Sequence, residues 1–252
     1  MKWLSKLFPI LFLVSSAYGL TLADLITQSR IFLRDTATDP LRQRFSDSQL
    51  TSFINNGQKE MNLRSWAVIN STPISLITGT TEYSLPPDHI VVLRVTVNNS
   101  PIQERTFSFL DDSNTNWIAD SGTVTDYYLR TDSSVVSGVT KESIGVHPVS
   151  TFTATMVVQY LAQPPDLSGG SDIPFAGNNR LYPFHHALAY YTGWRGAMAI
   201  SNLDEASIYL KEYETMMSLM ESITKNRLSF NPSLRGGMTP LMGISPPQPD
   251  KQ

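Results

Sequence analysis

The chain contains no cysteine among its 252 residues. This absence excludes a disulfide scaffold, a thiolate metal site and a cysteine nucleophile. A positive excess is also lacking, because 19 basic and 22 acidic residues give a net charge of −3. Proteins that grip nucleic acid usually have a basic excess, so the composition disfavours that function. With 41% hydrophobic residues, the chain is apolar enough and long enough to bury a core.

Motifs of common catalytic sites are missing as well. The sequence has no HExxH, GxSxG, GxGxxG or Walker A pattern. His185 and His186 are neighbours on a predicted helix and point about 100° apart, so they cannot share one metal ion. A calcium-loop spacing that starts at Asp112 fails, because Trp117 stands where the loop needs glycine. We therefore predict a protein without enzymatic activity, catalytic residues, cofactor or metal.

Residues 1–19 have the pattern of a secretory signal peptide. Lys2 and Lys6 precede an apolar run at 7–14, and small residues lead to a cleavage point after Gly19. The segment is too short to span a membrane comfortably. Three interpretations stay open: a cleaved export signal, an apolar arm that packs in an assembly, or a start codon assigned too far upstream.

Hydrophobic periodicity predicts a pair of amphipathic helices early in the chain. The first covers residues 21–36, where Thr21 can cap the helix together with Asp24 three residues later. Residues 38–45, with Pro40, Arg42 and Arg44, predict a polar turn. Residues 46–47 then cap the second helix, which runs to about Arg64. The two apolar faces are formed by Leu25, Ile26 and Phe32 in the first helix and by Leu50, Phe53 and Ile54 in the second.

From about residue 71 to 167 the pattern changes to short runs rich in Val, Ile, Thr and Tyr, separated by turn signals. These runs predict a small antiparallel β-barrel or β-sandwich. Residues 73–180 carry 11 acidic and 5 basic residues, a net charge of −6, whereas residues 1–72 carry 5 acidic and 8 basic residues, a net charge of +3. An acidic module suits a passage through which DNA slides without sticking, and an ordinary soluble surface explains it equally well.

A second helix pair follows the segment 168–177, whose Ser-Gly-Gly-Ser stretch is typical of a flexible linker. Pro183 suits the first position of a helix, and Ser201 or Asn202 can cap the last helix. Residues 231–252 hold five prolines and three glycines, which predicts an extended tail without a core of its own. The apolar stripes of this pair are Leu188, Tyr191 and Trp194, followed by Leu210, Met217 and Met220.

This order of elements predicts an α+β fold. Each helix pair has one apolar stripe to bury, so we expect residues 20–70 and 178–230 to close into one four-helix bundle domain. The β-module at 71–167 is then an insertion in that bundle. All four stripes should share one core, and Phe53→Ala should cost roughly 3–5 kcal/mol.

Several motifs occur in a fixed order along the chain. TLADLI begins at Thr21, and the pattern W/F-[ST]-D-x-x-L-x-x-[YF]-[IL]-N-x-[AG]-Q is present at 45–58. A Y-x-L-P-x-D strand entry starts at Tyr83, QYLAQPPDL occupies 159–167, and LYPFHHALAYYTGWRGAM precedes the last helix. In this set of motifs, residues 20–225 resemble the head-to-tail adaptor (connector) proteins of tailed phages.

The resemblance implies a structural virion protein at the head–tail junction. Such an adaptor assembles as a ring, a dodecamer, below the portal protein, where it extends the DNA channel and docks the tail nozzle or tail-tube protein. DNA passes through the ring during genome ejection without specific binding. A few podovirus connectors of similar position hydrolyse cell wall, but no recognisable carboxylate pair for that reaction is present in this sequence.

The apolar residues of the tail are spaced like anchors between prolines and glycines. We expect the tail to become an extended strap on the portal or on a neighbouring subunit. The predicted partner-binding residues are Leu234, Arg235, Met238, Leu241, Met242 and Ile244. In the alternative interpretation, residues 1–19 are a cleaved signal peptide, and the chain is an exported bacterial binding protein of the periplasm or cell envelope.

Overall fold

The computed structural model describes residues 19–136 and 139–229. Within these ranges the α-helices are α1 (Leu22–Phe32), α2 (Asp47–Ser65), α3 (Phe107–Ser113), α4 (His185–Ala199) and α5 (Leu203–Ser229). The strands of the same ranges are β1 (Ile69–Leu76), β2 (Glu82–Ser84), β3 (His89–Val97), β4 (Ser100–Glu104), β5 (Ser121–Gly122), β6 (Asp126–Val136), β7 (Val139–His147), β8 (Val149–Ser150) and β9 (Ala154–Ala162). The chain therefore has a mixed α+β fold, as the sequence predicts.

The first two helices begin where their capping residues predict. The Asp24 N–H donates to the Thr21 hydroxyl, and the Thr21 N–H donates to the Asp24 carboxylate at 2.9 Å. Ser46 and Gln49 form the same reciprocal pair at the start of α2. Each pair satisfies N–H groups that lack a partner inside the helix.

Helix α1 ends at Phe32, earlier than the predicted residue 36. Arg34 adopts a left-handed conformation with φ 52°, and the Asp35 N–H turns back to the Arg30 carbonyl at 2.8 Å. This turn stops the helix and places the Asp35 carboxylate beneath the loop that leads to α2.

Helix α4 packs against α1, α2 and α5, and α2 also contacts α1 and α5. Gly57 of α2 permits this approach, because a Cβ atom there would lie 2.8 Å from the ring of Tyr191. One buried cluster includes residues from all four helices, among them Leu25, Ile54, Leu188 and Met217. The same cluster continues into the sheet, so the helices and strands share a continuous core.

Phe53 lies outside this main cluster. It is half-buried and packs with Leu33, Phe45 and Leu50 in a smaller cluster, so the predicted place of Phe53 and Leu50 in the shared core is wrong. Phe53 and the fully buried Ile54 are successive on α2 and point in different directions. The expected cost of Phe53→Ala is therefore below the 3–5 kcal/mol range of a fully buried aromatic residue.

The main sheet has the strand order β1-β9-β3-β4-β6-β7-β2. Its two edge strands, β1 and β2, are consecutive in the chain, and the hydroxyl of Tyr83 in β2 accepts from the Ile77 N–H just after β1 at 2.9 Å. These links bring the edges together, so the sheet is nearly closed. The prediction of an entirely antiparallel module is wrong, because β4 pairs with β6 in parallel and β5 pairs with β8 in parallel. Helix α3 and the turn after it carry the chain across between β4 and β6, as a parallel pair requires.

The Ser-Gly-Gly-Ser stretch forms a hydrogen-bonded turn, in contrast to the flexible linker that its composition predicts. The Asp172 carboxylate accepts from the N–H groups of Ser168 and Gly169 at 2.8 and 2.7 Å. The carbonyls of Gly170 and Asp172 accept the first two N–H groups of α1. The turn therefore completes the cap of a helix that is distant in sequence. A second difference follows shortly after, where Pro183 lies inside a 3₁₀-helix that precedes α4.

Gly145 of β7 faces the ring of Tyr128 directly across the strand pair. A Cβ atom at Gly145 would overlap the ring of Tyr128, so we expect Gly145→Ala to destabilise the protein by about 1–3 kcal/mol. Chemical denaturation measures this change. Gly122→Ala is the matched control, because nothing lies within 4 Å of a Cβ atom there. Equal stability of the two variants would contradict the close packing of Tyr128 on Gly145.

Candidate interaction surfaces

The loop between α1 and α2, residues 35–45, is organised around one buried carboxylate and is called the Leu41 loop below. Asp35 is 4% exposed, and its carboxylate accepts from the N–H groups of Arg44 and Phe45 at 2.8 and 3.1 Å. The Arg30 guanidinium donates to the same carboxylate at 2.9 Å and to Asp47 at 2.6 Å. A buried charge with this many donors holds the surrounding backbone in one arrangement.

The tip of this loop presents a leucine to solvent. Leu41 is 95% exposed, the highest value among the large hydrophobic residues that the structure describes. Its N–H donates to the Asp39 carboxylate at 3.0 Å, and the Gln43 amide donates to the Ala37 carbonyl at 2.9 Å. The side chain of Arg42 is 82% exposed beside it. The sequence marks this segment only as a polar turn, although a leucine between charged residues in such a turn is a usable signal.

Helix α5 carries another exposed surface with apolar residues, on the side opposite the face that enters the core. Ile208 and Leu219 are 59% and 56% exposed on this face. The outer α5 face is defined as the stripe of exposed residues at spacings of three and four, Asp204, Ile208, Glu212, Thr215 and Leu219. It combines apolar side chains with two carboxylates, and Lys211 lies at its edge.

Arg64 of α2 fixes α5 in place. Its guanidinium donates two parallel hydrogen bonds to Glu214 at 2.9 and 2.8 Å and a third to Glu221 at 3.1 Å. The bonds to Glu214 raise the pKa of Arg64, and the bonds from Arg64 lower the pKa of the Glu214 carboxyl. These bonds join α2 to α5, two helices that are far apart in the sequence. They therefore hold α5, and with it the outer α5 face, in a fixed position relative to α2.

The β-module carries an aromatic cavity of about 360 Å³. Trp117 and Tyr128 meet edge to face with centroids 5.2 Å apart, and Phe107 packs 5.1 Å from Tyr128. The indole N–H donates to Asp111 at 2.8 Å, and the exposed Ile118 lies at the lining. Helix α3, which supplies Phe107 and Asp111, is absent from the sequence prediction because a seven-residue helix gives little periodic signal.

The two adjacent histidines have different partners. His185 is fully buried, and its Nδ1 lies 3.2 Å from the Leu20 carbonyl, which can only accept, so Nδ1 carries the proton. His186 is half-buried, and its Nδ1 lies 3.2 Å from the Gln28 amide oxygen. Burial lowers the pKa of both rings, that of His185 to about 4. Within residues 19–136 and 139–229, no group of three or more potential ligands could hold a metal ion.

The lowered pKa of His185 predicts acid sensitivity. The unfolded chain takes up a proton at this ring below about pH 6.5, whereas the folded protein resists until about pH 4. The unfolded state therefore binds more protons in this window, and the free energy of unfolding falls as the pH drops through it. We expect a loss of about 2 kcal/mol between about pH 7.5 and pH 5 from this residue.

Denaturant titrations at several pH values measure this contribution. Between about pH 7.5 and pH 5, the free energy of unfolding of a His185→Gln variant should fall by about 2 kcal/mol less than that of the wild type. An identical slope in the two proteins would show that His185 does not resist protonation in the folded state.

The six residues predicted to bind a partner, at 234–244, lie outside the described residues, as do residues 1–18. Among the residues that the structure describes, no helix is both long enough and apolar enough to cross a membrane. In the described part, apolar groups are exposed at the Leu41 loop, on the outer α5 face and at the mouth of the aromatic cavity, and also at scattered residues such as Ile31, Leu63 and Ile77.

Comparison with known proteins gives one family match. A family model described as SU10 adaptor protein matches residues 20–236. The matched range includes every helix and strand described above. No curated protein matches the chain.

Proposed function

This chain belongs to the SU10 adaptor protein family, a family of phage head-to-tail adaptors, and we propose that it forms the ring that joins portal to tail. Membership makes the protein a structural component of a phage particle. The proposal adds that twelve copies close into a ring below the portal protein, extend the DNA channel and dock the nozzle or tail-tube protein. The family match over both helix pairs and the sheet supports it.

The two parts of the fold are proposed to face different partners. Helices from residues 20–70 and 178–230 act as one bundle domain that packs beside the bundles of neighbouring subunits. The β-module at 71–167 faces the tail, and the segment 168–177 connects the two parts. The aromatic cavity supports this division, because aromatic side chains in a pocket are common anchors of protein interfaces.

The C-terminal segment 231–252 is proposed to be a strap on the portal or on an adjacent subunit. Apolar residues between prolines and glycines can anchor an extended chain, and proline reduces the entropy lost on docking. Arg235 supplies the main polar contact, since a guanidinium can donate two parallel hydrogen bonds to a carboxylate. The anchors are Leu234, Met238, Leu241, Met242 and Ile244.

The proposed role requires no reaction at the protein. DNA passes through the ring without specific binding, because the β-module region 73–180 carries a net charge of −6 and repels phosphate. The same charge lets the genome slide during ejection.

Mass spectrometry of purified virions tests this function against the exported alternative. We expect peptides of this chain in virions at a copy number similar to that of the portal protein. A chain that begins at Leu20, is confined to a periplasmic fraction and is absent from virions would contradict the proposal and support export.

A further inference from the structure

We propose that the Leu41 loop of one subunit docks on the outer α5 face of a second copy of the chain. The inference rests on the proposed ring and assigns the surfaces that join neighbouring subunits. Each subunit then contacts one neighbour through its Leu41 loop and the other neighbour through its outer α5 face.

The first support is the preorganisation of the loop. The Asp35 carboxylate ties down the N–H groups of Arg44 and Phe45, and Asp39 accepts the N–H of Leu41. A leucine that is 95% exposed contributes almost nothing to the core of its own subunit. Because the loop is already fixed, docking Leu41 loses little conformational entropy.

The second support is the match of charge and apolar surface. Arg42 and Arg44 follow the leucine in the same loop, and both are exposed, with Arg42 in a surface ion pair with Asp39 at 3.6 Å. On the outer α5 face, Asp204 and Glu212 flank Ile208 at four residues on either side. A loop with an exposed leucine and two arginines therefore has a counterpart in a helix face with an exposed isoleucine between two carboxylates.

The third support is that the two surfaces differ. A contact between two different surfaces is head-to-tail, and copies joined in this way close into a ring when the rotation permits. Leu41 is 95% exposed within the subunit, so the loop does not cover its own α5 face. Both surfaces are therefore free to receive neighbours on two sides.

Cysteine cross-linking tests the contact, since the natural chain has no cysteine. A Leu41→Cys/Ile208→Cys double variant is assembled on portal-bearing heads and treated with a short bismaleimide. We expect a ladder of covalent oligomers on a denaturing gel. Each single variant should remain monomeric, because the loop meets the helix face and not another loop. A Leu41→Cys/Ile118→Cys variant is the matched control and should also give no ladder.

Charge exchange gives a second measurement. Arg42→Glu should reduce addition to heads by about tenfold, the loss of roughly one charge pair. The double variant Arg42→Glu/Glu212→Arg should recover most of that loss. The melting temperature of each variant should stay close to the wild-type value, since both side chains are exposed and the ion pair of Arg42 with Asp39 is a surface contact.

Several outcomes would overturn the assignment while leaving the ring intact. Heads that carry the double-cysteine variant but show no ladder would place the contact elsewhere. Dimers of the Leu41→Cys variant alone would show a symmetric contact between loops. A benzophenone maleimide on the Leu41→Cys thiol that labels the portal would make the portal the partner of the loop. A wild-type protein that never adds to heads would instead contradict the proposed function itself.

Discussion

Replacing Asp35 with alanine is expected to lower the free energy of unfolding by about 3–5 kcal/mol. The side chain is 3% exposed, and its loss leaves the Arg30 guanidinium, which is 11% exposed, with Asp47 as its remaining ion-pair partner. The N–H groups of Arg44 and Phe45 lose their acceptor at the same time. Chemical denaturation followed by circular dichroism measures the change.

The control for this variant lies in the same loop. Asp39 is about half exposed, and its ion pair with Arg42 at 3.6 Å is a surface contact, so Asp39→Ala should cost less than about 1 kcal/mol. Similar losses in the two variants would show that the loop is not organised around Asp35.

Deleting residues 231–252 is expected to abolish addition to portal-bearing heads while leaving a folded protein. The truncation keeps every described helix and strand. It removes the proposed anchors at 234–244, and an extended segment contributes to binding only through such contacts. Sedimentation of heads after incubation with the purified protein measures addition, and circular dichroism confirms that the truncated protein is folded.

A shorter truncation is the matched control. Deleting residues 245–252 removes three prolines, at 246, 247 and 249, but keeps all six predicted partner-binding residues. This variant should still add to heads. Full activity of the longer truncation would show that the C-terminal segment has no role in assembly.

Features that depend on neighbours in sequence were predictable. Thr21 with Asp24 and the cap at Ser46 fix helix starts through residues three positions away, and these starts are confirmed. Apolar stripes such as that of α4 likewise indicate which face enters the core. Such signals lie within one element and need no knowledge of the tertiary structure.

Features that depend on distant partners were not predictable. The Ser-Gly-Gly-Ser turn is fixed by its bonds to α1, and composition cannot reveal a partner almost 150 residues away. The parallel pairing of β4 with β6 depends on the path of the chain through α3, a helix too short to give a periodic pattern.

The candidate surfaces also depend on contacts that the local sequence does not show. The sequence identified the loop before α2 as a polar turn but not Leu41 as its exposed tip, because exposure depends on how Asp35 folds the loop. The outer α5 face was hidden by the stronger stripe of Tyr213 and Met217 on the opposite side, which is buried. An exposed face that mixes charged and apolar residues lacks the regular hydrophobic spacing of a buried face, so the sequence pattern alone does not identify it as a binding surface.

Electron cryo-microscopy of portal-bearing heads incubated with the purified full-length protein tests the adaptor function of this chain. We expect a twelvefold ring of added density below the portal, into which the fold of residues 19–136 and 139–229 fits with the helices of adjacent copies side by side. Heads that show no added density at saturating protein concentration would contradict an adaptor function for this chain.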